Sequence, residues 1–336
     1  MANKQQTSND AYFQAIFEHY QDRIPEITAN NFKQIGDLIM ERPNMKNEFI
    51  NTLFNKIGLT LLQNKKYTSR LDIFSKGKLE YGETIEQIMC DLIECKDFTE
   101  QKDDNEVSEL VSAQVPNIKS LFHSENYKHK YKVTISDIRL RKAFNDKYGV
   151  DKLVASIITS VQNSIAYDRE CMLKAILSGS IYKQTIAVGF DNGSTGSRAK
   201  NLVTAIKKNI IRLETMGKNF NNADINTFTR KEDMVLVIGS DYATDIDINL
   251  LATAFNLDKA EISTRIIVVD ELPVIGETKP ICVLMDKDYI VDYTTLYEVR
   301  QFENANTLST NLFYHVWGIM AQNDFTNAIQ FVEAEA

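Results

Sequence analysis

The sequence has no cysteine pair at metal-ligand spacing, no surplus of basic residues, no long apolar run and no internal repeat. Each absence removes a class of function. Cys90, Cys95, Cys171 and Cys282 form no CxxC pair and have no histidines at ligand spacing, which argues against a zinc site and for free thiols in a reducing compartment. The formal charge of -8 argues against a general nucleic-acid binder, because neutralising phosphates needs a surplus of Lys and Arg on some face; any contact with DNA is expected to be weak. No apolar run approaches the ~20 residues that span a bilayer. The start MANKQQTSNDAYFQAIF lacks the basic and apolar segments of a signal peptide, so a cytoplasmic protein is expected.

What is present is the material of a packed globular chain. Its 336 residues exceed the usual single core and suggest about two domains. An apolar fraction of 43% with 17 Phe and 14 Tyr supplies large side chains for packing.

Helical spacing first appears at residues 11–24, where Tyr12, Phe13, Ile16, Phe17, Tyr20 and Ile24 share a face. Residues 46–62 offer another apolar face, so the first sixty residues read as an arm carrying short elements. Alternation around Leu71, Ile73 and Phe74, with Gly77 and Gly82, predicts a β-hairpin over 63–89. A hairpin with so little apolar content either projects into solvent or lies on another molecule. Residues 150–178 then keep helical periodicity for roughly 42 Å at 1.5 Å per residue, ending at Gly179. A loop at 191–200 leads into the amphipathic segment LVTAIKKNIIRLETM. Apolar runs at 234–239, 265–272 and 281–286 read as strands, with a short helix INLLATAFN between the first two. This alternation predicts an α/β unit over 186–284. The remainder reads as several strands, two of them long.

Few stretches suggest chemistry. DYATDIDIN places Asp241, Asp245 and Asp247 after a strand-like run, as metal-dependent transferases do. The same residues also suit a helix start, where an aspartate accepts backbone N–H bonds, and that reading is preferred because no second ligand motif completes a site. GSTGS at 193–197 lacks P-loop spacing. His19, His123, His129 and His315 have no neighbouring Ser or Cys nucleophile motif and read as structural or surface residues. KHKYK at 128–132 mixes base and aromatic, and in an acidic chain reads as a solvated strand or loop edge. No catalytic residue, metal ligand or cofactor site is assigned.

The order of elements, with the stretches NEFINTLFNKIGL, FSKGKLEYGETIEQI, VPNIKSLFH, LATAFNLDKAEI, VLMDKDYIVDY and FYHVWGIMAQNDFTNAIQFV, resembles the major capsid proteins of short-tailed phages of the phi-twenty-nine group. The resemblance runs over roughly residues 45–333. It implies an α+β chain with the tailed-phage capsid fold: an N-arm (1–55), an E-loop hairpin and flanks (56–105), a P-domain with a long spine helix (106–185), an α/β A-domain (186–284) and closing P-domain strands (285–336). It further implies a non-enzymatic subunit that assembles with itself into hexamers and pentamers of an icosahedral head. The implied partners are a scaffolding protein, a portal at one vertex and packaged double-stranded DNA held by weak non-specific contact. The implied location is the virion, with the host cytoplasm during assembly. Some relatives carry an immunoglobulin-like domain where this sequence stops, so its decorating role is not expected here. A metal-dependent transferase using Asp241, Asp245 and Asp247 is the alternative.

Charge suggests where copies meet. Lys65, Lys66, Arg70, Lys76 and Lys78 make residues 63–82 basic, whereas residues 83–109 hold ten acids, among them Glu83, Glu86, Asp103 and Asp104. A basic hairpin tip reaching the acidic stretch of the next subunit would give a head-to-tail contact that closes into a ring.

Overall fold

The computed structural model describes residues 32–42, 45–46, 67–80, 82–93, 95, 115–143, 149–189, 195–244, 246, 265–275 and 279–334. The expected helices at 11–24 and 248–256, and all of the face at 46–62 except Lys46, lie outside them. The chain divides into two compact units, one of residues 1–69, 127–169 and 294–318 and the other of 70–126, 170–293 and 319–336.

In the first unit, α1 (Phe32–Glu41) buries Ile39 and Met40, and Met45 just beyond it is buried as well. Strand β4 (Tyr127–Ser136) runs antiparallel to β10 (Ser309–Gln322) from Tyr127 opposite Gly318 to Ser136 opposite Ser309. These strands belong to a four-stranded sheet of order β1-β9-β10-β4, in which β9 is Ile290–Asn304 and β1, Ser75–Lys78, is counted with the residues of the second unit. Beyond β4 comes the short α2 (Asp137–Ala143), whose Asp137 is paired with Lys46 at 2.5 Å.

The long helix α3 (Gly149–Gly179) confirms the expected spine. Its 31 residues span roughly 46 Å. Ile157, Ile158, Val161, Leu173 and Leu177 are buried along its apolar stripe. The end is specified locally: the backbone N–H of Ser180 and the hydroxyl of Tyr182 donate to the carbonyls of Ile176 and Leu177, at 2.9 and 2.7 Å. Those bonds satisfy acceptors that a helix C-terminus otherwise leaves open.

The second unit is built on a five-stranded sheet of order β5-β11-β8-β6-β7, comprising β5 (Thr185–Val188), β6 (Met234–Gly239), β7 (Ile266–Val269), β8 (Pro280–Asp286) and β11 (Ala328–Glu333). Helix α4 (Thr195–Glu214) packs Leu202, Val203, Ile206, Ile210 and Leu213 into the core formed with Met234, Leu236, Leu284, Ile329 and Phe331. The apolar runs MVLVIG and PICVLM are buried at every position, as strands covered on both faces must be. A 3-10 turn at Arg70–Phe74 buries Leu71 and Phe74, and Arg70 donates from Nη1 to the Val268 carbonyl of edge strand β7 at 3.0 Å.

Two strand assignments differ from expectation. The segment 63–89 does not close on itself, because β1 joins the four-stranded sheet while β2 (Ile85–Cys90) pairs antiparallel with β3 (Ile118–His123). Gly77 within β1 and Gly82 between β1 and β2 adopt φ of 113° and 85°, conformations that glycine takes without steric cost, where the chain leaves one sheet for the other. The closing strand β11, expected among the P-domain strands, instead lies between β5 and β8. Its first five residues, AIQFV, are all buried, which suits a central strand rather than one half-exposed to water.

Candidate functional site

The two-stranded ribbon of β2 and β3 has two unlike faces. Strand alternation sends Ile85, Gln87 and Met89, with Lys119, Leu121 and His123, towards the body of their unit. Several bonds fix that face. Asp91 accepts from the backbone N–H and side-chain amide of Asn226, at 3.1 and 2.9 Å, and these bonds hold its carboxyl below the usual range. Lys119 donates to the Ala223 carbonyl, and Asn126 exchanges two hydrogen bonds with the backbone of Met320. Buried His123 lies 3.3 Å from Gln87 Oε1; burial pushes the imidazole down, against the opposing charge of Asp324.

The opposite face of the ribbon carries Glu86, Ile88 and Cys90 beside Ile118, Ser120 and Phe122, all exposed. Ile88 is 62% and Phe122 63% exposed, and Leu92, Ile93 and Val115 just beyond the paired ends are at 58%, 73% and 81%. An apolar concentration of this kind marks a surface made to be covered. The connection between Cys90 and Ile118, residues 91–117, holds eight acidic residues and two lysines.

A second surface lies on the first unit. On β4, Lys128, Lys130 and Lys132 are exposed, while the alternate residues Tyr131 and Ile135 turn inward. The Tyr131 hydroxyl donates to Asp168 of α3 at 2.8 Å, and burial, that bond and the carboxylate charge push the phenol up. On the lysine face the partner strand contributes Phe313, His315 and Trp317, opposite Lys132, Lys130 and Lys128. The Lys128 ammonium stands 4.5 Å from the Trp317 ring centre, and those of Lys130 and Lys132 stand 5.8 Å from Phe313. The KHKYK stretch, expected as a solvated strand or loop edge, is part of an edge strand with its lysines outward. Its aromatic floor could not be read from it, because that floor comes from a strand about 180 residues later.

Those of the charged residues proposed for contacts between copies that lie among the described residues are dispersed. Arg70 is committed to the Val268 carbonyl, and Lys76 on β1 pairs with Asp288 at 2.7 Å. Lys78 ends β1 and is exposed. Glu83 accepts from the Glu80 N–H at 2.9 Å in the turn after β1, and Glu86 lies on the outward face of β2 opposite Phe122. Lys65, Lys66, Asp103 and Asp104 lie outside the described residues.

Asp241 stands in the first turn of the short helix α5 (Ser240–Ala243), where Gly239 is the N-cap and no side chain caps it. Asp245 and Asp247 lie outside the described residues, so their capping role stays a proposal. Among the described residues no group of three His, Cys, Asp or Glu is placed to hold a metal ion.

Comparison with known proteins places this geometry. The model of the Phi29-like phage major capsid protein family matches residues 10–332. The major capsid protein of Bacillus phage GA-1 is 31% identical over 315 residues, covering 91% of this chain and 65% of that protein. That of Bacillus phage PZA is 28% identical over 324 residues, covering 95% of this chain and 70% of that protein. The chain thus spans about two thirds of the length of these relatives. Among solved structures, the capsid of Staphylococcus phage Andhra matches with a TM-score of 0.62 at 12% identity, covering 82% of this chain and 86% of that one. The capsid of cyanophage P-SCSP1u matches at 0.53 and 12% identity, covering 81% and 90%. At such identity the likeness concerns the fold, which is the tailed-phage capsid fold expected from the sequence. None of these comparisons supports a transferase.

Proposed function

Because the chain belongs to the Phi29-like phage major capsid protein family, we propose that it is a structural shell subunit, assembling with itself into the hexamers and pentamers of an icosahedral head around double-stranded DNA. The observation that carries this reading is the span of the family match. Residues 10–332 take in both compact units, so every described element belongs to one shell-building chain.

In this reading α3, β4, β9 and β10 form the P-domain, the five-stranded sheet with α4 forms the A-domain, the paired ribbon 85–123 is the E-loop, and residues 1–55 are the N-arm. The protein acts through its surfaces and catalyses nothing. Scaffolding protein sets curvature during assembly in the host cytoplasm, and a portal replaces one vertex. With a chain charge of -8, packaged DNA is held weakly and without sequence preference.

Sedimentation of the purified protein, with and without a co-expressed scaffold, tests the proposal. Capsomers or larger closed assemblies are the expected species. A small, fixed oligomer that binds Mn²⁺ stoichiometrically by calorimetry would favour the transferase using Asp241, Asp245 and Asp247 instead.

A further inference from the structure

Helix α4 is basic in an acidic chain. Arg198, Lys200, Lys207, Lys208 and Arg212 stand against one acid, Glu214 at its last residue, while the formal charge of the whole sequence is -8. Its inner face is committed, because Leu202, Val203, Ile206, Ile210 and Leu213 lie in the core of the second unit. The opposite face is exposed at Lys200, Thr204, Lys208, Ile211 and Arg212 and continues to Thr215 and Met216. At 3.6 residues per turn, Thr204, Ile211 and Thr215 fall along its middle, with Lys207 on one side of that line and Lys208 and Arg212 on the other. The two hydroxyls on the line are already engaged: Thr204 and Thr215 donate to the carbonyls of Lys200 and Ile211, at 2.7 and 3.2 Å. Beyond the helix, the antiparallel bridge between Gly217 and Thr227 sets Met216 opposite Phe228, and both are exposed. The face is thus an uncharged strip about 17 Å long between cationic edges, opening on an apolar end. Among the described residues, Lys200, Lys207, Lys208 and Arg212 have no acidic partner.

A strip of this shape matches one side of a second helix. Two helices packed lengthwise meet along an apolar seam with charges at its margins, so the complement carries apolar residues every three or four positions and acids beside them. A nucleic-acid backbone would answer the cations but leave Ile211, Met216 and Phe228 facing phosphate. Among the described helices of this chain none supplies the complement. Helix α1 exposes Asp37 and Glu41 but buries Ile39 and Met40, α2 is basic, and the outward residues Ser156, Ser160, Ser164, Tyr167, Cys171 and Ala175 of α3 carry no charge. We propose that the outer face of α4 is a docking site for an acidic amphipathic helix of a different polypeptide, lying along Thr204, Ile211 and Thr215 with its carboxylates towards Lys207, Lys208 and Arg212. The inference goes beyond the shell-subunit reading, because the partner is not another copy.

Fluorescence anisotropy with a labelled designed peptide tests it on the whole chain. The peptide is roughly three heptads long, with Leu at the two apolar positions of each heptad and Glu beside them; a second peptide has the same composition with its leucines shuffled off the stripe. Wild-type protein is expected to bind the striped peptide at least about tenfold more tightly than the shuffled one. The paired change Lys208→Glu with Arg212→Glu is expected to weaken that binding by at least about tenfold and to flatten its salt dependence. Ile211→Ser is expected to weaken it less, with the salt dependence intact. All three positions are exposed, and unchanged thermal midpoints confirm folding. Absence of binding by the wild type, or equal binding of the two peptides, overturns the inference. So does tighter binding of a duplex DNA oligonucleotide that is lost in the charge variant, which assigns the face to a polyanion. Loss of self-assembly by the charge variant without any peptide assigns the face to a contact between copies and overturns it as well. Each of these outcomes leaves the shell-subunit reading standing, whereas failure of the wild-type protein to assemble counts against that reading alone.

Discussion

Replacing Tyr131 with Phe removes one hydroxyl and leaves the aromatic packing, so it isolates the bond that fixes which face of β4 carries the lysines. The hydroxyl donates to the Asp168 carboxylate at 2.8 Å. A hydrogen bond to a charged group contributes about 1.5–3 kcal/mol, and the partial exposure of this pair lowers the expectation to about 1–2 kcal/mol. For a unit of this size that corresponds to a midpoint shift of roughly 3–6 °C. Scanning calorimetry on unassembled subunits measures it. Asp168→Asn and the double variant complete a cycle, in which the coupling should account for most of the loss. The phenol also sets a pH dependence. Its folded pKa lies above the ordinary value of about 10, so its contribution to stability is intact below pH 10 and declines as the pH rises towards the folded value. Tyr297 and Tyr314 of the same unit are pushed up by burial too. Alkaline destabilisation should therefore be shallower in Tyr131→Phe without disappearing. An unchanged midpoint together with zero coupling would refute the orientation of β4 that turns Tyr131 inward and Lys128, Lys130 and Lys132 outward.

Leu284→Ala on the central strand β8, at a fully buried position, should cost about 2–5 kcal/mol and be seen as loss of the second unit's melting transition at moderate urea. Of the four thiols, Cys90, Cys95 and Cys171 are exposed and should react rapidly with a thiol reagent. Cys282, fully buried on β8 with its thiol pushed up by burial, should react only on unfolding; four equally fast thiols would contradict the packing of that strand. Asp91→Ala removes the acceptor of two bonds from Asn226, so amide exchange at Asn226 and along residues 85–90 should quicken while the sheet core stays protected. Because hydrogen bonding lowers this carboxyl's pKa, that protection should persist at neutral pH and fall only as acid protonates Asp91, below about pH 4.

Elements whose signal is local were legible from the sequence. The apolar positions of α3 repeat with helical spacing over nearly nine turns, and β6 and β8 are short unbroken apolar runs, so neither required knowledge of a partner. What failed was pairing. Two alternating segments separated by a glycine-containing turn look like a hairpin, but Ile85–Cys90 takes its partner from across residues 91–117, and nothing local announces a contact that distant. The position of β11 between β5 and β8 was obscured for the same reason, since a buried strand's neighbours are chosen by the whole sheet. The candidate surface was half legible. The base and aromatic alternation of KHKYK is in the sequence, yet the ring faces under its lysines come from β10. The charge blocks before and after residue 83 are plain in the composition, but composition does not show that most of the acidic block falls in the connection between the two strands of the ribbon.

The central claim is that this chain builds shells. Electron microscopy of the protein expressed with a candidate scaffold and purified without other head components tests it most directly. The account predicts closed shells or tubes with a lattice of hexameric capsomers. Homogeneous small particles of fixed subunit number, at every protein concentration and with or without scaffold, would contradict it.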